Sequence, residues 1–126
     1  MTMATTVKEM VAAANAVVPK VTPDEVTALS DTALVVDLRD STEIAATGKV
    51  RGAVNVTRGM LEFRADPESP LHMADFRKDR PVVFYCASGN RAALAGKTLL
   101  DLGFTDVRNA GKFTDLAAGG VPTEKD

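Results

Sequence analysis

The chain has 126 residues, enough for one domain with an adequate core, and its 45% hydrophobic and 25% charged content is ordinary for a globular protein. A net charge of −2 leaves no global basic field for nucleic acid or a membrane surface, and no apolar run approaches a membrane-spanning length. One cysteine and one histidine exclude an internal disulfide and argue against a structural zinc site, so neither metal nor cofactor is expected.

Residues Val7, Met10, Val11, Ala14 and Val18 recur at helical spacing, so residues 1–20 form an N-terminal segment carrying an amphipathic helix, ended by Pro19. Such a helix either packs on the domain that follows, residues 21–126, or serves a partner. Met1 to Lys8 lack the basic start and long apolar core of a signal peptide, and a lone thiol suits a reducing compartment, so a cytoplasmic location is expected. Val21 offers a short edge strand. Thr22-Pro23-Asp24-Glu25 then starts a helix, with Thr22 as cap, Pro23 at the first helical position and Glu25 reaching back.

Ala33 to Leu38 read as a buried strand with Asp37 at its carboxyl end, and Asp40-Ser41-Thr42-Glu43 starts another capped helix that Gly48 ends. Gly52 to Val56 read as a third strand, followed by Arg58. Residues 60–80 are less regular: a helical turn at Met60 to Phe63, a loop at Asp66 to Pro70 and a short helix at Leu71 to Phe76. This insertion is either a rim of the site or a plain surface connection. Asp106 to Asn109 read as a last short strand. A final helix runs from Lys112 to Ala118, and Val121 to Asp126 form a tail. Strands alternating with helices through short loops predict an α/β fold in three layers. Its centre is a mostly parallel sheet of about five strands, with helices on both faces.

The stretch Val82-Val83-Phe84-Tyr85-Cys86 organises the rest. Pro81 marks its start, and a run without polar alternation suits a central strand buried on both faces. Ala92, Ala95, Leu99 and Leu102 then mark one face of a helix closed by Gly103. Cys86 therefore falls at the carboxyl end of a strand, before the small-residue loop Ala87-Ser88-Gly89-Asn90-Arg91. Ligands bind open α/β sheets at that end, and a tight loop leading to a helix N-terminus can turn its amides inward around an anion. A thiolate or persulfide on Cys86 is stabilised in such a cup, and Arg91 adds a nearby cation. A lone cysteine in a buried strand is otherwise an inert small hydrophobe; its place directly before this loop is what favours chemistry.

From Val21 to Glu124 the pattern resembles the single-domain rhodanese family. Cys86-Ala87-Ser88-Gly89-Asn90-Arg91 is similar to the six-residue rhodanese active-site loop. Asp37-Leu38-Arg39 with Glu43 resembles the family's Asp-x-Arg-x-x-x-Glu segment, and Gly48 to Ala53 resembles Gly-His-Ile-Pro-Gly-Ala. Asn109-Ala110-Gly111-Lys112-Phe113 and Gly120-Val121-Pro122 are similar to its Gly-Gly-Phe and Gly-x-Pro elements. The departures are Lys49 and Arg51 for His and Pro, Lys112 for a second glycine, and Leu116 for a tryptophan. Ala87 also stands where some rhodaneses carry a cation.

The resemblance implies a rhodanese-like fold and sulfur transfer through a persulfide on Cys86. The partners it implies are a small anionic donor such as thiosulfate and a thiol, cyanide or protein acceptor. The amides from Ala87 to Arg91 would hold the terminal sulfur. Arg91 would pair with Asp37 or Glu43 to shape the loop, or else meet the donor. Asp37 and Arg39 read as loop support, or as a strand-end anchor and a surface cation. With no cation at Ala87, Arg58 and Arg64 are candidates for donor capture, against a reading as solvated charges. One rival is a sulfur carrier that hands its persulfide to one protein. The other is a phosphatase or arsenate reductase, which needs a longer loop than the five-position spacing of Cys86 and Arg91.

Overall fold

All five residues of β4 (Val82–Cys86) are buried, and their alternation divides the core in two. Val82, Phe84 and Cys86 pack with Leu61, Leu99 and Phe104 on one face; Val83 and Tyr85 pack with Val26, Phe113 and Leu116 on the other. A strand covered on both faces needs no polar positions, which is why this run reads as continuously apolar. The computed structural model describes residues 4–125.

β4 lies between β1 (Leu34–Asp37) and β5 (Val107–Lys112), and β3 (Val54–Asn55) flanks β1. All the pairings in this sheet are parallel, in the order β3-β1-β4-β5. The chain leaves β1 outward to β3 and then returns to β4 on the other side. The order therefore reverses between β1 and β4, whose carboxyl ends carry Asp37 and Cys86. Open α/β sheets bind ligands at such a crevice.

The helices follow from the same patterning. α4 (Leu61–Ala65) and α5 (Asn90–Asp101) cover the face that receives Cys86; α2 (Pro23–Leu29) and α6 (Phe113–Ala118) cover the other. The capping box expected at Thr22 forms, with Glu25 bonded back to the cap, and removing such a cap costs about 1 kcal/mol. α3 (Ser41–Thr47) crosses from β1 toward a small antiparallel ribbon of β2 (Lys49–Val50) and β6 (Thr123–Glu124). α1 (Val7–Val17) packs outside α5 and buries Ala14, followed by buried Val18. The approach is close: a Cβ on Gly96 of α5 would stand 2.7 Å from Val18 Cγ1. Val7, Met10 and Val17 stay exposed.

Four local expectations change. Residues 121–124 are not a free tail, because β6 pairs with β2 and the Arg51 N–H donates to the Pro122 carbonyl at 2.9 Å. Two-residue strands carry no period for sequence to reveal. The third strand shrinks to Val54–Asn55. β5 runs past Asn109 to Lys112 through a register shift opposite Phe84 and Tyr85, with Gly111 at φ +82°. Such a bulge is where a glycine belongs in a strand. Leu71 to Phe76 form turns rather than a helix, because the Met73 N–H donates to the Arg64 carbonyl at 2.8 Å instead of to a carbonyl one turn back. Phe76 instead meets Phe104 edge-on, centroids 6.4 Å apart.

Candidate active site

Cys86 closes β4 and has no exposed surface. The chain then turns at Gly89, whose φ of +88° is left-handed and favours glycine. That turn points the Gly89 N–H at Cys86 Sγ, 3.0 Å away. Ser88 Oγ accepts from the Asn90 N–H at 3.3 Å, and the Gly89 carbonyl starts α5 by accepting from the Ala93 N–H at 3.0 Å. The loop Ala87 to Arg91 thus folds its backbone around the sulfur at the N-terminus of α5, where unpaired amides favour negative charge.

A second strand pins this turn. The Asn109 Nδ2 group donates to the Gly89 carbonyl at 3.2 Å, and its Oδ1 accepts from the Gly111 N–H at 2.8 Å. Asn109 is buried, and its amide ties β5 to the loop. In the sequence alone Asn109 is a strand end and a motif residue. The signal in the sequence is an amide side chain within an expected strand, since a buried amide must find partners.

Arg91 pairs with Glu43 rather than Asp37. Its Nη1 and Nη2 donate to Glu43 Oε1 and Oε2, both at 3.0 Å, in a bidentate bridge about one-third exposed on each side. The Arg91 hydrogen bonds, and then that from the Asp40 backbone, hold the Glu43 carboxyl below its ordinary value. The same bridge raises Arg91 against the opposing effect of burial.

Asp37 is occupied by Arg39. The Arg39 Nη2 group lies 2.9 Å from Asp37 Oδ2, and Nε and the backbone N–H both reach Oδ1. Arg39 also donates to Thr47 Oγ1 and the Gly48 carbonyl, each at 2.8 Å, and its guanidinium sits 4.3 Å from the Phe113 ring centroid. At 3% exposure Arg39 is no surface cation; it and Asp37 fasten the β1–α3 corner. Burial works against its charge, but the Asp37 contacts outweigh it and Arg39 is raised. Tyr85 is pushed far up, by burial and then by Asp37, and its hydroxyl accepts from the Val50 N–H at 3.0 Å. It therefore serves as a neutral strut.

Clefts open on three sides of the loop. One of about 230 Å³ lies toward β5, beside Ser88, Gly89 and Asn90. One of about 460 Å³ lies toward α1, beside Asn90 and Arg91. The third, about 300 Å³, lies beside Ala87 and is walled by Arg39, Ala46 and Phe113. None takes a residue from 59–80. The insertion instead buries Leu61, Ala65 and Phe76 in the core.

Arg58 has an acidic partner that adjacency in sequence did not suggest. It donates to Glu62, four residues on, at 2.9 Å, and to Thr98 Oγ1 at 3.0 Å. Thr98 lies eight residues along α5 from Asn90, about 12 Å at a helical rise. Arg64 reaches the Leu71 carbonyl at 3.4 Å on an exposed surface. Neither lines a cleft at the loop. Among the described residues no three His, Cys, Asp or Glu side chains converge, and no helix is long and apolar enough to cross a membrane.

Residues 22–111 match the model of the rhodanese-like domain. The chain belongs to the rhodanese family. It is 34% identical to a sulfurtransferase of Allochromatium vinosum, over 75% of this chain and 82% of that protein. It is 32% identical to the human thiosulfate:glutathione sulfurtransferase, over 68% and 80%. Among solved structures it resembles a Rhodopseudomonas palustris protein of unknown function, described as a possible tyrosine phosphatase. That match has 39% identity and a TM-score of 0.89, covering 98% of each chain. The rhodanese fold thus brings the expected cysteine, its loop and Glu43 to one place, while Arg58 lies apart.

Proposed function

We propose that this rhodanese transfers sulfane sulfur through a persulfide on Cys86. The observation that carries the reading is the loop closed on Sγ, with the Gly89 N–H at 3.0 Å and the start of α5 directly behind it. In the first half-reaction the Cys86 thiolate attacks the outer sulfur of a donor such as thiosulfate. A bond forms to Sγ, the donor's S–S bond breaks, and its electron pair leaves on sulfite. In the second, an acceptor nucleophile takes the outer sulfur and the electron pair returns to Sγ. Covalent catalysis in two half-reactions gives ping-pong kinetics. Loop amides hold the persulfide anion, and Arg91, tied to Glu43, keeps the loop in shape. The relatives support both ends of the cycle, since the human one is named for thiosulfate and glutathione. A lone thiol stays free most readily in a reducing cytoplasm.

Two other readings have an observation each. Ala87 supplies no cation for a small donor, which suits a carrier that passes its sulfur to one protein. The R. palustris likeness raises a phosphatase, yet here Arg91 is bonded to Glu43, the Gly89 N–H lies on Sγ, and Cys86 and Arg91 are only five positions apart, a shorter loop than a tetrahedral oxyanion calls for.

Intact-mass measurement after incubation with thiosulfate or a polysulfide tests the chemistry. The wild type gains one sulfur atom, and Cys86→Ser gains none while keeping its melting temperature, because a hydroxyl without a general base is too weak a nucleophile. Sulfur transfer retained in Cys86→Ser would refute the mechanism. Loading from a protein persulfide but not from thiosulfate would select the carrier. Hydrolysis of p-nitrophenyl phosphate without sulfur loading would select the phosphatase.

A further inference from the structure

The family match begins at residue 22, yet the chain ahead of it reaches the active-site loop. The Pro19 carbonyl accepts from the Asn109 N–H at 2.8 Å, and the Val21 N–H donates to the Asn109 carbonyl at 3.0 Å. Lys20 forms a parallel bridge there, so the segment runs along the outer edge of β5. On β5 itself Lys112 is in register with Cys86. Lys20, Lys112 and Asn15 join Ser88 and Asn90 around the cleft on this side of the loop. Asp115 is the carboxylate on its wall. Among the described residues neither lysine is in an ion pair, and neither is Asp115, so the cleft carries a surplus of positive charge.

We propose that this cleft binds the carboxylate end of a small thiol that accepts sulfur from Cys86, an inference that rests on the sulfurtransferase reading. Its position selects the acceptor over the donor. Gly89 presents its N–H to Sγ, packs near Gly111 and lines the cleft, so a peptide unit separates the sulfur from the lysines. The oxygens of thiosulfate are one S–S and one S–O bond from the reacting atom, too close to span that separation. A thiol with a carboxylate several bonds from its sulfur spans it. The acceptor thiolate attacks the outer sulfur of the persulfide, the bond to Sγ breaks, the electron pair returns to Sγ, and the acceptor leaves as a persulfide. No outside oxidant or reductant is consumed.

The test uses sulfur-loaded protein discharged in single turnovers by mercaptosuccinate or by mercaptoethanol. Lys20→Met and Lys112→Met keep the apolar stems and remove the charges. Each variant should reduce the wild-type preference for mercaptosuccinate by about threefold to fivefold, the double variant by more, and salt should reduce the wild-type preference in the same direction. An unchanged preference in the double variant would overturn the proposal. Failure of wild-type Cys86 to gain sulfur is a separate result, and it would end the sulfurtransferase reading instead. In that event (methylthio)succinate, which cannot accept sulfur, is titrated into the wild type and the double variant while the Gly111 and Asn15 amide signals are followed. Saturation in the wild type that weakens in the variant supports the cleft; no saturation overturns it.

Discussion

Arg39–Asp37 and Arg91–Glu43 stand at the crevice between neighbouring strand ends, built from the same two chemical groups, yet only the second meets solvent. The first pair is 3% and 0% exposed, with the guanidinium further bonded to Thr47 and Gly48 and stacked on Phe113. The second is about one-third exposed and holds a loop instead of a corner. A buried pair with four of its five guanidinium N–H groups bonded to Asp37, Thr47 and Gly48 fixes geometry and leaves little to offer a substrate. A bridge one-third exposed costs little to form or break, so it can set the shape of the loop around Cys86 without locking it. The motif therefore divides its labour: its arginine holds the β1–α3 corner and its glutamate holds the loop after Cys86.

The largest effect should come from breaking the buried pair. Arg39→Met leaves Asp37 charged and without its partner, a loss of about 3–5 kcal/mol and a fall in Tm of roughly 10–20 °C for a domain of this size. Below its transition the variant should still load sulfur on Cys86. Thermal melts with mass analysis on the same sample decide the matter. A folded Arg39→Met that takes no sulfur would move Arg39 into the site and erase the contrast.

Arg91→Ala should do the reverse. Stability changes by under about 1 kcal/mol, as for other exposed bridges, while sulfur loading slows by about tenfold as the loop loses its tether. Acid sharpens the distinction. Glu43 is held below its ordinary value by Arg91 first, then by the Asp40 backbone. This stabilisation is therefore present in full above the unfolded-state value, about pH 4.3, and is lost as pH falls from there through the lower folded-state value. The wild type should lose Tm across that window more steeply than Arg91→Ala. Parallel curves would show that the bridge contributes nothing to the folded state.

How much of this contrast was readable in advance depended on burial. The β4 run, the Thr22 capping box and the position of Cys86 are written in local periods and caps, and these formed as expected. Glu43 as a partner of Arg91 was one of two options, and only the occupation of Asp37 by Arg39 decides between them. Arg39 looked like a surface cation because sequence does not show Phe113 arriving over it from β5 and α6. Asn109 and Lys20 reach the cleft beside the loop through a parallel bridge between segments nearly ninety residues apart, a pairing that no local pattern encodes.

The smallest effect is expected at Arg58, which tests whether positive charge outside the loop region serves the site at all. An anionic donor gains from any cation near its path, so long as the field is unscreened. Arg58, however, is bonded to Glu62 and Thr98, and the Glu62 carboxylate cancels most of its field at a distance. Arg58→Ala should therefore lower Tm by about 2–4 °C through the lost bridge and hydrogen bond. It should change the rate of sulfur loading from thiosulfate by less than about twofold, at low and high salt alike. The measurement is initial loading rate against thiosulfate concentration at two ionic strengths. A several-fold rise in the donor KM that salt abolishes would show that Arg58 steers the donor from beyond contact range. Donor capture would then extend past the loop, and the division between scaffold and site would have to be drawn further along α5.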